Sequence, residues 1–136
     1  MMASVSSAPP SVGEFSEKPL YGAAIYCPRE RAELLAERIP GCRLSAWSST
    51  GFDIISREAG KVRGIEEMLA HFGLCREEIA VFGDADNDVE MISFAGVGVA
   101  MGNGTPAARA AADFVAGSVD DDGLAGAFRR LGLISP

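Results

Sequence analysis

The densest chemistry in the sequence is the run Gly83-Asp84-Ala85-Asp86-Asn87-Asp88, which sets three carboxylates and an amide side by side. Carboxylates this close repel one another and are costly unless a cation sits among them. Short oxygen-bearing side chains that leave room for water and phosphate suit Mg²⁺. Three other patterns compete for the same residues. Asp at a helix start is a common cap and needs no metal, and taken alone it accounts for the run as well as a cation does. The alternate spacing of Asp84, Asp86 and Asp88 matches the opening of an EF-hand loop. That reading fails, because the sixth position is Val89 instead of Gly and the twelfth is Ala95 instead of Glu. A nucleophile motif of the D-x-D-x-[TV] kind is interrupted by Asp88 in its fifth place.

Lys61 lies upstream, after Gly60 and on the loop that leads into a helical pattern. Most lysines are solvated surface groups. A lysine at this point would also project over a neighbouring strand end, where it neutralises carboxylate or phosphate charge. The only histidine, His71, stands on that helix pattern away from any cysteine pair. This argues against a zinc site and against a Ser–His or Cys–His nucleophile system, and His71 is given a mostly structural or surface role. Cys27, Cys42 and Cys75 form no C-x-x-C pair and read as reduced, mostly buried thiols of a cytoplasmic protein.

The elements that position these residues follow from periodicity and punctuation. Residues 1–17 are rich in Ser and Pro and read as a flexible leader, with order beginning near Leu20. The run from Tyr21 to Cys27 is strand-like, and Pro28 stands where a first helical residue belongs. Ala32, Leu35, Ala36 and Ile39 keep helical spacing until Pro40-Gly41 ends the element. Strands follow around Arg43–Ser48 and Phe52–Ser56, with a turn at Ser49-Thr50-Gly51 between them. The unit 18–57 is thus β-α-β-β. Ile65, Met68, Leu69 and Phe72 mark a second helix that Gly73 stops. Ile79–Phe82 and Val97–Met101 are short apolar runs between helices, as expected of buried parallel strands. Asn87–Phe94 is a short helix between them. Thr105-Pro106 caps a helix through Ala112, and Phe114-Val115 is a brief third strand. Asp120-Asp121-Asp122 should cap a last helix whose core face is Leu124, Ala127, Phe128 and Leu131. Alternation of this kind over 58–136 predicts an α/β fold with a parallel sheet, right-handed crossovers and ligands beyond the carboxyl ends of the strands. The acidic run stands at that edge.

Composition limits the partners. The chain has 136 residues, with 12 Lys plus Arg against 19 Asp plus Glu, a formal net charge of −7. A nucleic-acid backbone or an anionic membrane calls for a cationic face, so both are excluded as partners. No run approaches the roughly 18 apolar residues of a membrane span, and the first residues lack the basic and apolar regions of a secretory signal. A hydrophobic share of 48% is enough for a folded core.

Taken together, the residues resemble the haloacid dehalogenase-like phosphatases, in particular the Cof-like branch with a type IIB cap. The resemblance rests on Lys61-Val62-Arg63-Gly64-Ile65 and Val81-Phe82-Gly83-Asp84-Ala85-Asp86-Asn87-Asp88 with Met91 following. It continues through Val99-Ala100-Met101-Gly102-Asn103-Gly104, Ala112-Asp113 and Asp121-Asp122-Gly123-Leu124. It implies a partial Rossmann-like core, residues 58–136, preceded by a β-α-β-β remnant of the cap, residues 18–57. It further implies Mg²⁺-dependent hydrolysis of small phosphate monoesters through an aspartyl-phosphate. By position, Lys61 resembles the phosphate-stabilising lysine and Asp84 the carboxylate that helps hold Mg²⁺. Asp88 resembles the second acid of that motif, near the metal or the lysine, and Asn87 the amide that touches the phosphoryl group. Asp86 should face solvent, and Asn103 should shape the nearby loop.

The resemblance stops short of the amino-terminal D-x-D-G-T-[LV] segment, which has no counterpart ahead of Lys61, where Asp53 stands alone in a strand pattern. The covalent step then lacks its acceptor, and the chain by itself is expected to be inactive, requiring a missing half to act on a phosphorylated metabolite. The alternatives are a non-catalytic α/β binding module and a truncated remnant. The strand Ile79–Phe82 should also present an unpaired apolar edge. Either the Tyr21–Cys27 or the Phe52–Ser56 strand folds over that edge, or a second copy pairs with it, or it aggregates, and self-association is the favoured expectation.

Overall fold

The computed structural model describes residues 20–135; the expected leader, 1–17, lies outside them. Strand β1 (Gly22–Tyr26) leads into helix α1 (Arg29–Glu37), followed by β2 (Cys42–Ala46) and β3 (Gly51–Ser56). The central strand is β3, antiparallel to both neighbours, so the order is β1-β3-β2. The register opposes Arg43 to Ile55 and Ser45 to Asp53. Side chains alternate along a strand, which divides the sheet into two unlike faces. Phe52 and Ile54 are buried on the face where α1 lies, with the Arg29 guanidinium 5.4 Å from the Phe52 ring centre. Arg43, Ser45, Asp53 and Ile55 share the opposite face.

The second half runs α2 (Lys61–Phe72), β4 (Ala80–Gly83), a 3₁₀ turn at Asp86–Asp88, α3 (Val89–Phe94), β5 (Val97–Ala100), α4 (Pro106–Ala111), β6 (Phe114–Val115) and α5 (Gly123–Arg130). The strands are parallel in the order β4-β5-β6. Each crossover is helical, as a parallel sheet requires. Successive side chains of β4 face different layers. Val81 packs against the buried cluster of Ile92, Ala100 and Ala108, whereas Phe82 meets Phe128 of α5 edge-to-face at 4.7 Å. The fold is thus mixed α/β, with a parallel sheet flanked by helices. Gly73 ends α2 in the left-handed region, at φ 67°, where a residue without Cβ carries no steric cost. Thr105 caps α4, its Oγ1 accepting from the Ala108 N–H at 3.3 Å.

Four local expectations change. Lys61 is the first residue of α2, not part of the preceding loop. The acids at 120–122 do not cap α5. The Ser118 hydroxyl accepts from the Asp120 N–H instead, and Asp122, at φ 51°, makes no side-chain cap bond. Backbone crowding decides this turn, because a Cβ on Gly123 would collide with the Gly117 carbonyl. Of the thiols, Cys27 and Cys42 are half-buried and Cys75 is exposed. Finally, β1 and β3 pair within their own sheet, so neither covers β4. The ladder to β5 is anchored by Val97 N–H on Ile79 O and Met101 N–H on Gly83 O. Alternation then turns the peptide groups of Ala80 and Phe82 to the other side, where no strand pairs with them among the described residues.

Candidate phosphate and cation site

At Gly83 the chain leaves β4 and folds back on itself through the carboxylate of Asp88. One oxygen, Oδ2, accepts from the backbone N–H of Asp84 at 2.9 Å and of Ala85 at 3.2 Å. The other, Oδ1, accepts from Lys61 Nζ. Asp88 is only 3% exposed. Burial by itself pushes its carboxyl up, but the Lys61 ammonium and the two N–H groups outweigh burial and hold it below its ordinary value. Gly83 has no side chain for a physical reason: a Cβ there would lie 2.5 Å from the Asp88 Cβ. The Asp84 carbonyl in turn accepts from the Thr105 N–H at 2.7 Å. The backbone of Asp84 is therefore held from two directions, while its exposed carboxylate has no partner among the described residues.

The other wall of the site is the polar face of the first sheet. Arg43 donates to the Ala59 carbonyl through Nη2 at 3.0 Å and Nε at 3.4 Å, which ties β2 to the start of α2. Its Nη2 also lies 3.8 Å from Glu90 of α3. Between these walls is a cavity of about 390 Å³ whose lining includes Arg43, Ser45, Asp53, Lys61, Asp86 and Asn87.

The structure thus brings three of the four expected site residues to one place. Lys61 and Asp88 are in contact, and Lys61 and Asn87 line the same cavity. Asp84 stands beside them at the end of β4. Asp86 is exposed at the cavity margin, and Asn103 Oδ1 accepts from the Val119 N–H at 3.0 Å, a loop-shaping contact. His71 is exposed, edge-on to Phe72. Sequence reasoning left out Arg43, Ser45 and Asp53 as lining residues. The signal was present in their period-two placement on adjacent strands. It gave no role to Asp113, whose carboxylate accepts from the Gly98 N–H at 2.7 Å and ties β5 to the approach of β6.

Among the described residues no three His, Cys, Asp or Glu side chains gather into a ready ligand set. Asp88 has both oxygens engaged, so of the two acids expected to hold a cation Asp84 is the one left open. Mg²⁺ keeps several waters and takes one or two carboxylates together with substrate phosphate. One open carboxylate, on the turn whose Asp88 holds the Lys61 ammonium, fits as donor chemistry a cation held jointly with a phosphoryl group.

The family model for haloacid dehalogenase-like hydrolases matches residues 26–128. The chain belongs to that family. It is similar to 5-amino-6-(5-phospho-D-ribitylamino)uracil phosphatase YitU of Bacillus subtilis, at 42% identity over 54% of this chain and 27% of the relative. It is also similar to a phosphoglycolate phosphatase of Aeropyrum pernix, at 39% identity over 65% of this chain and 36% of the relative. Among solved structures, the subclass IIB sugar phosphatase BT4131 superposes with a TM-score of 0.79 at 33% identity, over 86% of this chain and 45% of that one. The chain spans less than half the length of these relatives. Haloacid dehalogenase-like phosphatases are generally metal-dependent, which agrees with an open carboxylate at Asp84.

Proposed function

We propose that this chain forms the phosphate- and cation-binding half of a Mg²⁺-dependent phosphomonoester hydrolase centre. The observation that carries the reading is the pairing of Lys61 with Asp88 on the turn that follows β4, with Lys61 and Asn87 lining one cavity there and Asp84 on the same turn. The Lys61 ammonium, held by Asp88, meets phosphoryl oxygens as a charge-assisted donor. The Asn87 amide orients the same group. Asp84 supplies the protein carboxylate for the cation, which when bound neutralises charge on the phosphoryl oxygens. No D-x-D pair precedes Lys61, so the acceptor for a covalent step has to arrive on a strand added to the open edge of β4. By itself the chain binds phosphate but does not turn over.

When no such strand is present, we propose that a second copy covers the edge. The groove beside β4 is apolar and lined by Ile65, Met68, Phe72, Leu74, Ile79 and Val81. A second copy brings the matching elements, its own β4 edge and its own α2 face, in a self-complementary two-fold contact.

The test uses the full chain with Mg²⁺. Inorganic phosphate should broaden and shift in ³¹P NMR on adding protein, and Lys61→Met and Asp84→Ala should each remove the effect. A generic aryl phosphate should not be hydrolysed. Binding that Lys61→Met leaves untouched would overturn the site, and hydrolysis abolished by Asp84→Ala would overturn the inactivity of the chain.

A further inference from the structure

The start of α2 is not fixed by its own residues. Its N-cap, Gly60, offers no side-chain bond, and its first turn carries Lys61 and Arg63 and no acid. Cations at the positive end of a helix dipole are unfavourable. Yet Lys61 has to stand at one place for its ammonium to reach a phosphate beside Asn87. Arg43 supplies a hold from outside the helix. It lies half-buried on β2, and its Nη2 and Nε donate to the carbonyl of Ala59, two residues ahead of Lys61, at 3.0 and 3.4 Å. The guanidinium rests directly against Gly60, where a Cβ would lie 2.6 Å from Nη2. Its contact with Glu90, at 3.8 Å and with the Glu90 side chain 70% exposed, adds little.

We infer that Arg43 is a positioning residue for the phosphate site, gripping the Ala59 carbonyl so that α2 begins where Lys61 faces the acidic turn. The inference rests on the proposed phosphate site and deepens it. Gly60 alone separates Ala59 from Lys61, so a shift of the Ala59 peptide is carried to the base of the lysine side chain. At the other end, Lys61 Nζ is held by Asp88. The lysine is thus fixed at base and tip, and a donor already held in place loses less freedom when phosphate binds. A planar guanidinium suits this task, because two of its N–H groups reach one carbonyl in a set geometry, which an ammonium does not offer. Those N–H groups are turned to the protein, so Arg43 acts through Lys61 and does not itself hold phosphate.

The experiment compares wild type, Arg43→Met, Arg43→Lys and Gly60→Ala as full chains with Mg²⁺. Affinity for inorganic phosphate is read by calorimetry below the unfolding temperature of each variant, and the ε-methylene signal of Lys61 by NMR before phosphate is added. Gly60 has an extended backbone, at φ 165°, which alanine also adopts, so Gly60→Ala chiefly displaces the guanidinium while keeping its charge. Arg43→Met and Gly60→Ala should each weaken phosphate about fivefold, as expected for the loss of one exposed hydrogen-bonded contact, and each should move the Lys61 signal. Arg43→Lys keeps the charge without the two-pronged bond and should bind phosphate more like Arg43→Met than like wild type. Wild-type phosphate affinity in Gly60→Ala would overturn the assignment, whether or not Arg43→Met folds. Weakened phosphate binding with the Lys61 signal unmoved would overturn it too, since it marks a direct contact with phosphate. Full affinity in Arg43→Lys would do the same by showing that charge alone matters. Failure of inorganic phosphate to bind the wild-type chain would instead overturn the phosphate site, and the Lys61 signal would still report whether Arg43 holds the lysine.

Discussion

Asp88→Ala should unfold this chain more readily than any other single change at the acidic turn. The substitution removes the acceptor for two backbone N–H groups and the partner of Lys61. A hydrogen bond to a charged acceptor contributes roughly 1.5–3 kcal/mol. Here the value is lower for the Asp84 N–H, because that residue is exposed and water replaces part of the bond. The Lys61 side chain is 47% exposed, so its ion pair adds only about 0–1 kcal/mol. The expected loss is therefore about 2–4 kcal/mol, or a fall in Tm of roughly 8–15 °C for a chain of this size. Urea unfolding followed by circular dichroism should show the midpoint falling with an unchanged slope, because the exposed surface is the same. Lys61→Met, measured beside it, should cost less than about 1 kcal/mol. A loss below about 0.5 kcal/mol for Asp88→Ala is the size of an ordinary surface substitution, and it would refute the reading of Asp88 as the residue that pins the turn.

Other outcomes follow from the same contacts. The folded-state pKa of Asp88 lies below its unfolded value, so its stabilisation is present above about pH 4 and is lost as pH falls through the folded value. Asp88→Asn should accordingly flatten the decline of stability on acidification in that window, and a wild-type slope in the variant would contradict it. Gly83→Ala puts a methyl group against Asp88 and should cost roughly 1–3 kcal/mol by overpacking, with a matching loss of phosphate binding in ³¹P NMR. If a second copy covers the open edge of β4, light scattering should give the mass of a dimer, and Phe82→Pro, by removing an edge N–H, should give monomer. A monodisperse wild-type monomer would remove that proposal.

Most of the fold is legible in the sequence. Short apolar runs at 79–82 and 97–101 sit between helical spacings, and a strand of that kind has to be buried on both faces. Gly73 and Thr105-Pro106 mark their helix ends because their backbone requirements are local. The acids at 120–122 misled for the opposite reason. Their chemistry suits a cap, but the turn is set by the close approach of Gly117 and Gly123, a contact between backbones that residue type does not announce. The open groove of α2 and β4 likewise depends on what other chain is near.

The types and order of Lys61, Asp84, Asn87 and Asp88 were enough to place a phosphate-handling turn at the end of a parallel strand, since strand, glycine and acids are contiguous and their geometry is local. Which acid stays open was a matter for the tertiary structure. Asp84 and Asp88 are equivalent as letters, yet α2 delivers Lys61 to Asp88 from 27 residues away, the absent side chain of Gly83 lets Asp88 fold back, and Asp84 is left free. The place of Asp53 is decided in the same way, because only the pairing of β2 with β3 and the placement of that sheet over the turn make a lone strand carboxylate part of a cavity wall.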